Sequence, residues 1–365
     1  MLLFAIASGC GGAGPAGAGG VGSGGAPAAD PGANPSLPGT AEANSAPTTT
    51  GANTDHHRCG WIGADHFEEG TATFVANPDF FQAIHPKWFT LNSDGTPRAN
   101  QFVDDARIVD TAHAHHVLLM PLIDADTGDI LRNMLSSPDR IAAHVQLLTA
   151  LVMQHGYDGI EIDYEHLWTA ADRAPFSAFV TQLGAALHQE GKKLSLAIPA
   201  MDHDDGQNAY DYAVLNRAAD VLHLMGYDFH YLGGDHLGPL APIGWIDATA
   251  ARAATIGDPS KYVLGVANYG IGSGWYTLSA GDAAARCTGP IETTTDHMLT
   301  CPYGPRAAGR SPHCQTAQGA EWSEDAGSVA EKAQVAVAHG LGGMTYWTVG
   351  GEPAGFREAI KAAFP

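Results

Sequence analysis

Eight short apolar runs, each separated from the next by a longer stretch, limit what this chain can fold into. They are Cys59–Ala64, Trp88–Leu91, Val117–Ile123, Gly159–Tyr164, Leu194–Pro199, Val221–Tyr227, Tyr262–Tyr269 and Gly343–Thr348. Most intervening segments carry apolar residues at helical spacing. Ile141, Val145, Leu148 and Val152 form one such stripe, opened by Ser137-Pro138-Asp139 as cap and first turn. Phe176, Phe179, Val180, Leu183 and Leu187 form another, closed by Gly191. Strands joined by long crossovers pair in parallel, and eight of them close a (β/α)8 TIM barrel. An open doubly wound sheet is the alternative, but no Gly-x-Gly-x-x-Gly turn follows the first strand. An α/β barrel is therefore the expected fold. The stretch from about 270 to 328 is too long for an ordinary loop. A small disulfide-bearing insertion between strands seven and eight is expected there.

Charge narrows the function. With 18 Lys+Arg against 39 Asp+Glu the net charge is −21 among 365 residues, which opposes binding to nucleic acid or to anionic lipid headgroups. No run of about 20 apolar residues is present, so no membrane-spanning helix is expected. Residues 1–10 end in Ala7-Ser8-Gly9-Cys10, which resembles the lipobox of bacterial lipoproteins and implies export with a lipid on Cys10. Residues 11–54 are nearly all Gly, Ala, Pro, Ser, Thr and Asn. Such a segment cannot offset its ordering entropy and reads as a disordered tether to a folded unit at 55–365. Four further cysteines, Cys59, Cys287, Cys301 and Cys314, make an even set. Disulfides are favoured, with the pairing left open; the spacings of 14 and 13 do not suit a Cys-x-x-Cys zinc knuckle.

The chemistry concentrates in Tyr157-Asp158-Gly159-Ile160-Glu161-Ile162-Asp163-Tyr164-Glu165. Side chains alternate along a strand, so Glu161, Asp163 and Glu165 share one face, while Ile160, Ile162 and Tyr164 share the other. In a barrel the apolar set packs beneath the helices and the three acids point inward. Crowding them is costly, and the same cost raises at least one pKa towards the range a general acid needs. On spacing alone a divalent-metal site or a solvated edge strand remains open.

The run Asp158-Gly-Ile-Glu-Ile-Asp-Tyr-Glu165 resembles the Asp-Gly-x-Asp-x-Asp-x-Glu signature of glycoside hydrolase family 18. Leu224-Met225-Gly226-Tyr227-Asp228 and Gly342-Gly343-Met344-Thr345-Tyr346-Trp347 resemble the family's motifs at strands six and eight. Pro86–Leu91, Asp211-Tyr212 and Glu321–Asp325 resemble its spore-cortex and cell-wall branch. The resemblance implies a chitinase-like or N-acetylglucosaminidase glycosidase acting on β-1,4 linkages of peptidoglycan or chitin-type oligomers by a retaining, substrate-assisted mechanism. It implies Glu165 as general acid, Asp163 as orienter of the substrate's 2-acetamido group and Tyr227 as its hydrogen-bond donor. Asp228 and Asp158 are implied as further site residues and Trp347 as the apolar floor. The chain has Glu161 where the family most often has Asp, and this longer carboxylate is expected still to share a proton with Asp163.

Asn268 and Tyr269, at the end of strand seven, are further candidate substrate contacts. Asp202-His203-Asp204-Asp205 lies at the rim, either touching substrate or simply solvated, and Trp275 and Tyr276 could extend the cleft. His113 and His116 could share a helix face, but a solvated face is the commoner outcome. Trp61 and Trp245 read as packing residues. No metal or cofactor is expected, and the chain is expected to be a monomer. Two rival readings are a lectin-like glycan-binding barrel and a metal-dependent phosphodiesterase using Glu161 and Asp163. Lectin-like members usually lose the acid found here at Glu165, and no His-Arg-Gly motif follows the first strand to support the second.

Overall fold

A computed structural model describes residues 57–232, 234, 238–272, 275–288, 292–295, 310–317 and 319–365. The expected lipobox-like segment, the tether and Cys301 lie outside these residues.

Eight parallel strands close into a barrel: β1 (His57–Ile62), β2 (Ala83–Leu91), β3 (Leu118–Leu119 and Leu122–Asp124), β4 (Gly159–Asp163), β5 (Lys193–Pro199), β6 (Val221–Met225), β7 (Tyr262–Ala267) and β8 (Gly343–Trp347). Closure is explicit, because β1 pairs with β2 through Cys59 and Ala83 and with β8 through Trp61 and Trp347. Every expected strand is present, with shifted ends. β2 starts at Ala83 rather than Trp88, since His85 and Lys87 are polar residues that a barrel interior accommodates and an apolar count misses. β3 is broken at Met120-Pro121, where proline has no N–H to give the ladder.

The two foreseen helices lie outside the sheet. Ser137 caps Pro138–His155, accepting from the Arg140 N–H, and Gly156 ends it in the left-handed region at φ 73°. Helix Ala170–Gln189 opens with a Thr169/Asp172 capping box. Ile160, Ile162 and Tyr164 join their apolar stripes in one buried layer between strands and helices. A second, smaller cluster fills the barrel mouth with Trp61, Leu122, Ala197, Tyr227 and Ala267, against which Trp347 and Tyr269 pack. Among the described residues no helix is long and apolar enough to cross a membrane.

The insertion between β7 and β8 is a five-stranded antiparallel sheet, ordered Trp275–Thr277, Gly270–Gly272, Gly319–Ser323, Arg310–Thr316 and Glu292–Thr295. It carries the disulfide Cys287–Cys314. Cys59 departs from the expected set: it is a buried free thiol on β1, deep in the barrel wall and away from the insertion.

Candidate active site

β4 delivers the acids as alternation requires. Glu161 is fully buried, Asp163 is 8% exposed, and Glu165 stands just past the strand end, partly open. The backbone beyond the strand is held by Tyr210, whose buried hydroxyl donates to the carbonyls of Tyr164 and Glu165, 2.9 Å each. On the opposite face the Tyr164 hydroxyl meets His144 Nε2 at 2.8 Å, which pins the outward side of the same segment.

Asp163 and Glu165 form a hydrogen-bonded carboxyl pair. Burial, then the neighbouring Glu165 and Asp124 charges, pushes Asp163 well above the usual carboxylate range. Burial and the Asp228 charge raise Glu165 to about 7, against the restraint of Lys87 and of the bond to Asp163. Two carboxyls so close cannot both ionise cheaply, so the pair retains a proton near neutral pH. Lys87 supplies the compensating charge from β2. Its ammonium lies 2.5 Å from Asp124 on β3. Burial opposes that charge, but Asp124, Asp163 and Glu165 together outweigh it and raise the Lys87 pKa.

Tyr227 and Asp228 lie just beyond β6, after Gly226, and Asp228 adopts φ 60°. Burial raises the Asp228 carboxyl to about 6, and the Tyr269 hydroxyl donates to it, which pulls the other way. Burial also pushes the Tyr227 phenol up, so it remains a proton-bearing donor across the neutral range. Trp61 packs edge-on to Tyr227 at 6.5 Å and tilted against Trp347 at 6.1 Å. Carboxyls, a phenol and indoles thus converge at the C-terminal mouth of the barrel, where side chains from several strands meet.

Glu161 corrects one expectation. It does not share a proton with Asp163, because both of its oxygens are committed lower in the barrel. Oε2 accepts from Trp61 Nε1 at 2.9 Å and lies 2.7 Å from His85 Nδ1. Oε1 lies 2.6 Å from His223 Nδ1 and accepts from Ser195 Oγ at 3.5 Å. Burial disfavours its charge, but the two imidazoles and their hydrogen bonds prevail and hold the carboxyl far below its ordinary range. The extra methylene carries the carboxylate into this ring of partners and away from Asp163.

Two other site candidates take structural roles. Asp158 stands before the first residue of β4, at the end remote from Glu165, where its carboxylate accepts from the Leu119 N–H at 2.9 Å. Asn268 is fully buried; its amide donates to the carbonyls of Thr348 and Gly350, 2.7 Å each, and its oxygen accepts from the Ala280 N–H. The Asn268 amide has no donor left for a substrate to claim. At the rim, Asp204 is held by Arg173 at 2.6 Å and accepts from the Gly206 N–H, so this part of the acidic loop is a structural turn. Tyr276 is 49% exposed in the insertion.

Sequence reasoning missed Lys87, Asp124, Tyr210, His85 and His223; Trp61, which it placed among the packing residues, is buried in the barrel with its indole N–H on Glu161. The signal for Lys87 and His85 was their i, i+2 spacing on one strand, which puts both on the interior face once β2 is extended back to Ala83.

The class follows from these features: an (α/β)8 barrel with an inward carboxyl pair, one member poised near neutrality, beside a buried tyrosine and an aromatic wall. The family model for glycosyl hydrolases family 18 matches residues 80–352, and the chain belongs to that glycosidase family. Among curated relatives it is 27% identical to YdhD of Bacillus subtilis (strain 168), whose name describes a sporulation-specific glycosylase, over 68% of this chain and 61% of that one. It is also 27% identical to the cortical fragment-lytic enzyme of the same organism, over 54% of this chain and 47% of that protein. The chain thus spans between about half and three fifths of these relatives' length. Among solved structures, a chitinase from Chromobacterium violaceum superposes with a TM-score of 0.72 at 24% identity, covering 84% of this chain and 98% of that one, and shares the fold.

Proposed function

We propose that this protein hydrolyses β-1,4 bonds adjacent to N-acetylglucosamine, in peptidoglycan or chitin-type oligomers, with retention of anomeric configuration. The observation that carries the reading is the hydrogen-bonded Asp163–Glu165 pair, with Glu165 raised to about 7. A carboxyl titrating there is largely protonated at slightly acid pH, as a general acid must be.

In this scheme Glu165 protonates the glycosidic oxygen as the bond to the anomeric carbon breaks. The carbonyl oxygen of the substrate's own 2-acetamido group attacks that carbon, so the enzyme supplies no nucleophile. Asp163 accepts the acetamido N–H and offsets its developing positive charge, while the Tyr227 hydroxyl donates to the acetamido oxygen. Glu165, now a carboxylate, takes a proton from the water that opens the ring intermediate, which restores the starting protonation state and gives net retention. Trp347 offers a flat apolar face to the sugar. The names of the cortical fragment-lytic relatives favour peptidoglycan, and the chitinase likeness of the fold keeps chitin-type oligomers as the second substrate. The lipobox-like Cys10 and the Gly/Ala/Pro-rich stretch after it favour export and a tethered place in the cell envelope.

The test is digestion of N-acetylglucosamine oligomers and of purified peptidoglycan, with products read by mass spectrometry and Glu165→Gln as control. New reducing-end N-acetylglucosamine, absent with the variant, supports the proposal and chooses the substrate. Saturable binding without cleavage by the wild type would favour the lectin-like reading instead.

A further inference from the structure

The reaction scheme leaves one cluster unused. Below the acid pair, Cys59 of β1, His85 of β2 and His223 of β6 converge on the barrel axis, and one ligand atom from each lies within 4.8 Å of the other two. All three are buried, at no more than 1% exposure. The two rings stand edge to face with centroids 4.9 Å apart. Glu161 lies against Nδ1 of both, at 2.7 and 2.6 Å, and His85 Nδ1 is also 3.1 Å from the Met120 carbonyl. With acceptors facing each Nδ1, that nitrogen carries a proton toward them. Both Nε2 atoms are buried without any hydrogen-bond partner.

Buried polar atoms are nearly always satisfied, so two orphans in one cluster ask for an occupant. We infer that Cys59, His85 and His223 form a buried binding site for a divalent thiophilic cation, zinc first, with Glu161 orienting the two imidazoles. The donor set fits: one thiolate and two imidazole nitrogens suit zinc, and metal-bound histidines usually give their other N–H to a carboxylate or carbonyl. Charge fits as well. A divalent ion, one thiolate and the Glu161 carboxylate sum to zero in a pocket that water does not reach. Such an ion would cross-link β1, β2 and β6, which span more than half the circumference through β4. This site is independent of the glycosidase proposal.

The test uses untagged full-length protein, expressed with zinc and dialysed against EDTA in the native state. Because the cluster is sealed, one equivalent of zinc per chain should remain by elemental analysis and be released when guanidinium unfolds the chain. Cys59→Ser and His223→Gln should each lower the content at least tenfold, whereas Cys301→Ser should not. Protein refolded with cobalt(II) should show thiolate-to-cobalt charge-transfer absorption that Cys59→Ser abolishes. Less than a tenth of an equivalent of zinc together with no such absorption in the wild type would overturn the site, as would full zinc retention by both ligand variants. The cobalt spectrum of the wild type needs no variant to fold.

Discussion

Replacing Asp228 with Asn tests the electrostatics of the acid pair most directly. Glu165 sits at about 7 against an ordinary 4.5, an elevation of about 2.5 pH units, with burial as the larger cause and the Asp228 charge next. A neighbouring like charge at an effective dielectric of about 20 repels by up to about 4 kcal/mol at contact distance, enough to supply more than one pH unit. Since burial accounts for the larger share, about one unit is the effect expected from Asp228. Asparagine keeps the acceptor that Tyr269 donates to but carries no charge, so the Glu165 pKa should fall towards about 6. A general acid works while protonated, so activity is lost as pH rises through that pKa. The alkaline limb of kcat/KM should therefore move about one unit to lower pH in Asp228→Asn, whatever happens to the maximal rate. Lys87→Met is the opposite perturbation. It removes the cation that restrains both acids, and the same limb should move to higher pH. Profiles on a chromogenic N-acetylglucosamine oligomer read both. A limb that stays in place in both variants, or moves the same way in both, refutes the assignment of Glu165 as a proton donor tuned by these two charges.

Three further outcomes are expected. Glu165→Gln should stabilise the fold at neutral pH by about 1–3 kcal/mol, because a carboxyl raised by burial loses stability as pH rises from about 4.5 to 7; in urea titrations the gain should vanish near pH 4. Glu161→Gln should destabilise by about 3 kcal/mol at pH 7 by breaking a buried charge network. Its carboxyl is depressed in the fold, so its contribution is complete above the unfolded pKa of about 4.3 and the deficit should narrow as pH falls below it. Tyr210→Phe deletes the hydroxyl proton shared between the carbonyls of Tyr164 and Glu165 and should lower kcat by about tenfold, about 1.4 kcal/mol, with little change in KM; a raised KM with kcat unchanged would assign Tyr210 to substrate binding instead.

The fold was legible because barrel strands are local objects. Each needs only a short apolar or alternating run, and Ile160-x-Ile162 announces its outer face without reference to any other strand. The helices were legible for the same reason, through Ser137, Gly156 and Gly191 at their ends and the stripes between. The ends of strands were less so. β2 hid behind His85, Pro86 and Lys87, because an interior that accepts polar side chains gives no apolar signal there. Cys59 was misread because a count of cysteines says nothing about distance, and β1 lies far from the insertion that holds Cys287 and Cys314.

The site divides along the same line. Alternation told which way Glu161, Asp163 and Glu165 point, but not what each would meet on arrival. The partners of Glu161 come from strands 62 and 100 residues away in sequence, at His223 and Trp61. No local pattern encodes such a meeting; only closure of the barrel creates it. One methylene then decides between two circuits. A carboxylate that reaches His85 and His223 is fixed as an anion, and it leaves Asp163 to settle its proton with Glu165 alone. That separation predicts an asymmetry between neighbours on one strand: changing Glu161 should alter stability more than the pH profile, whereas changing Asp163 should do the reverse.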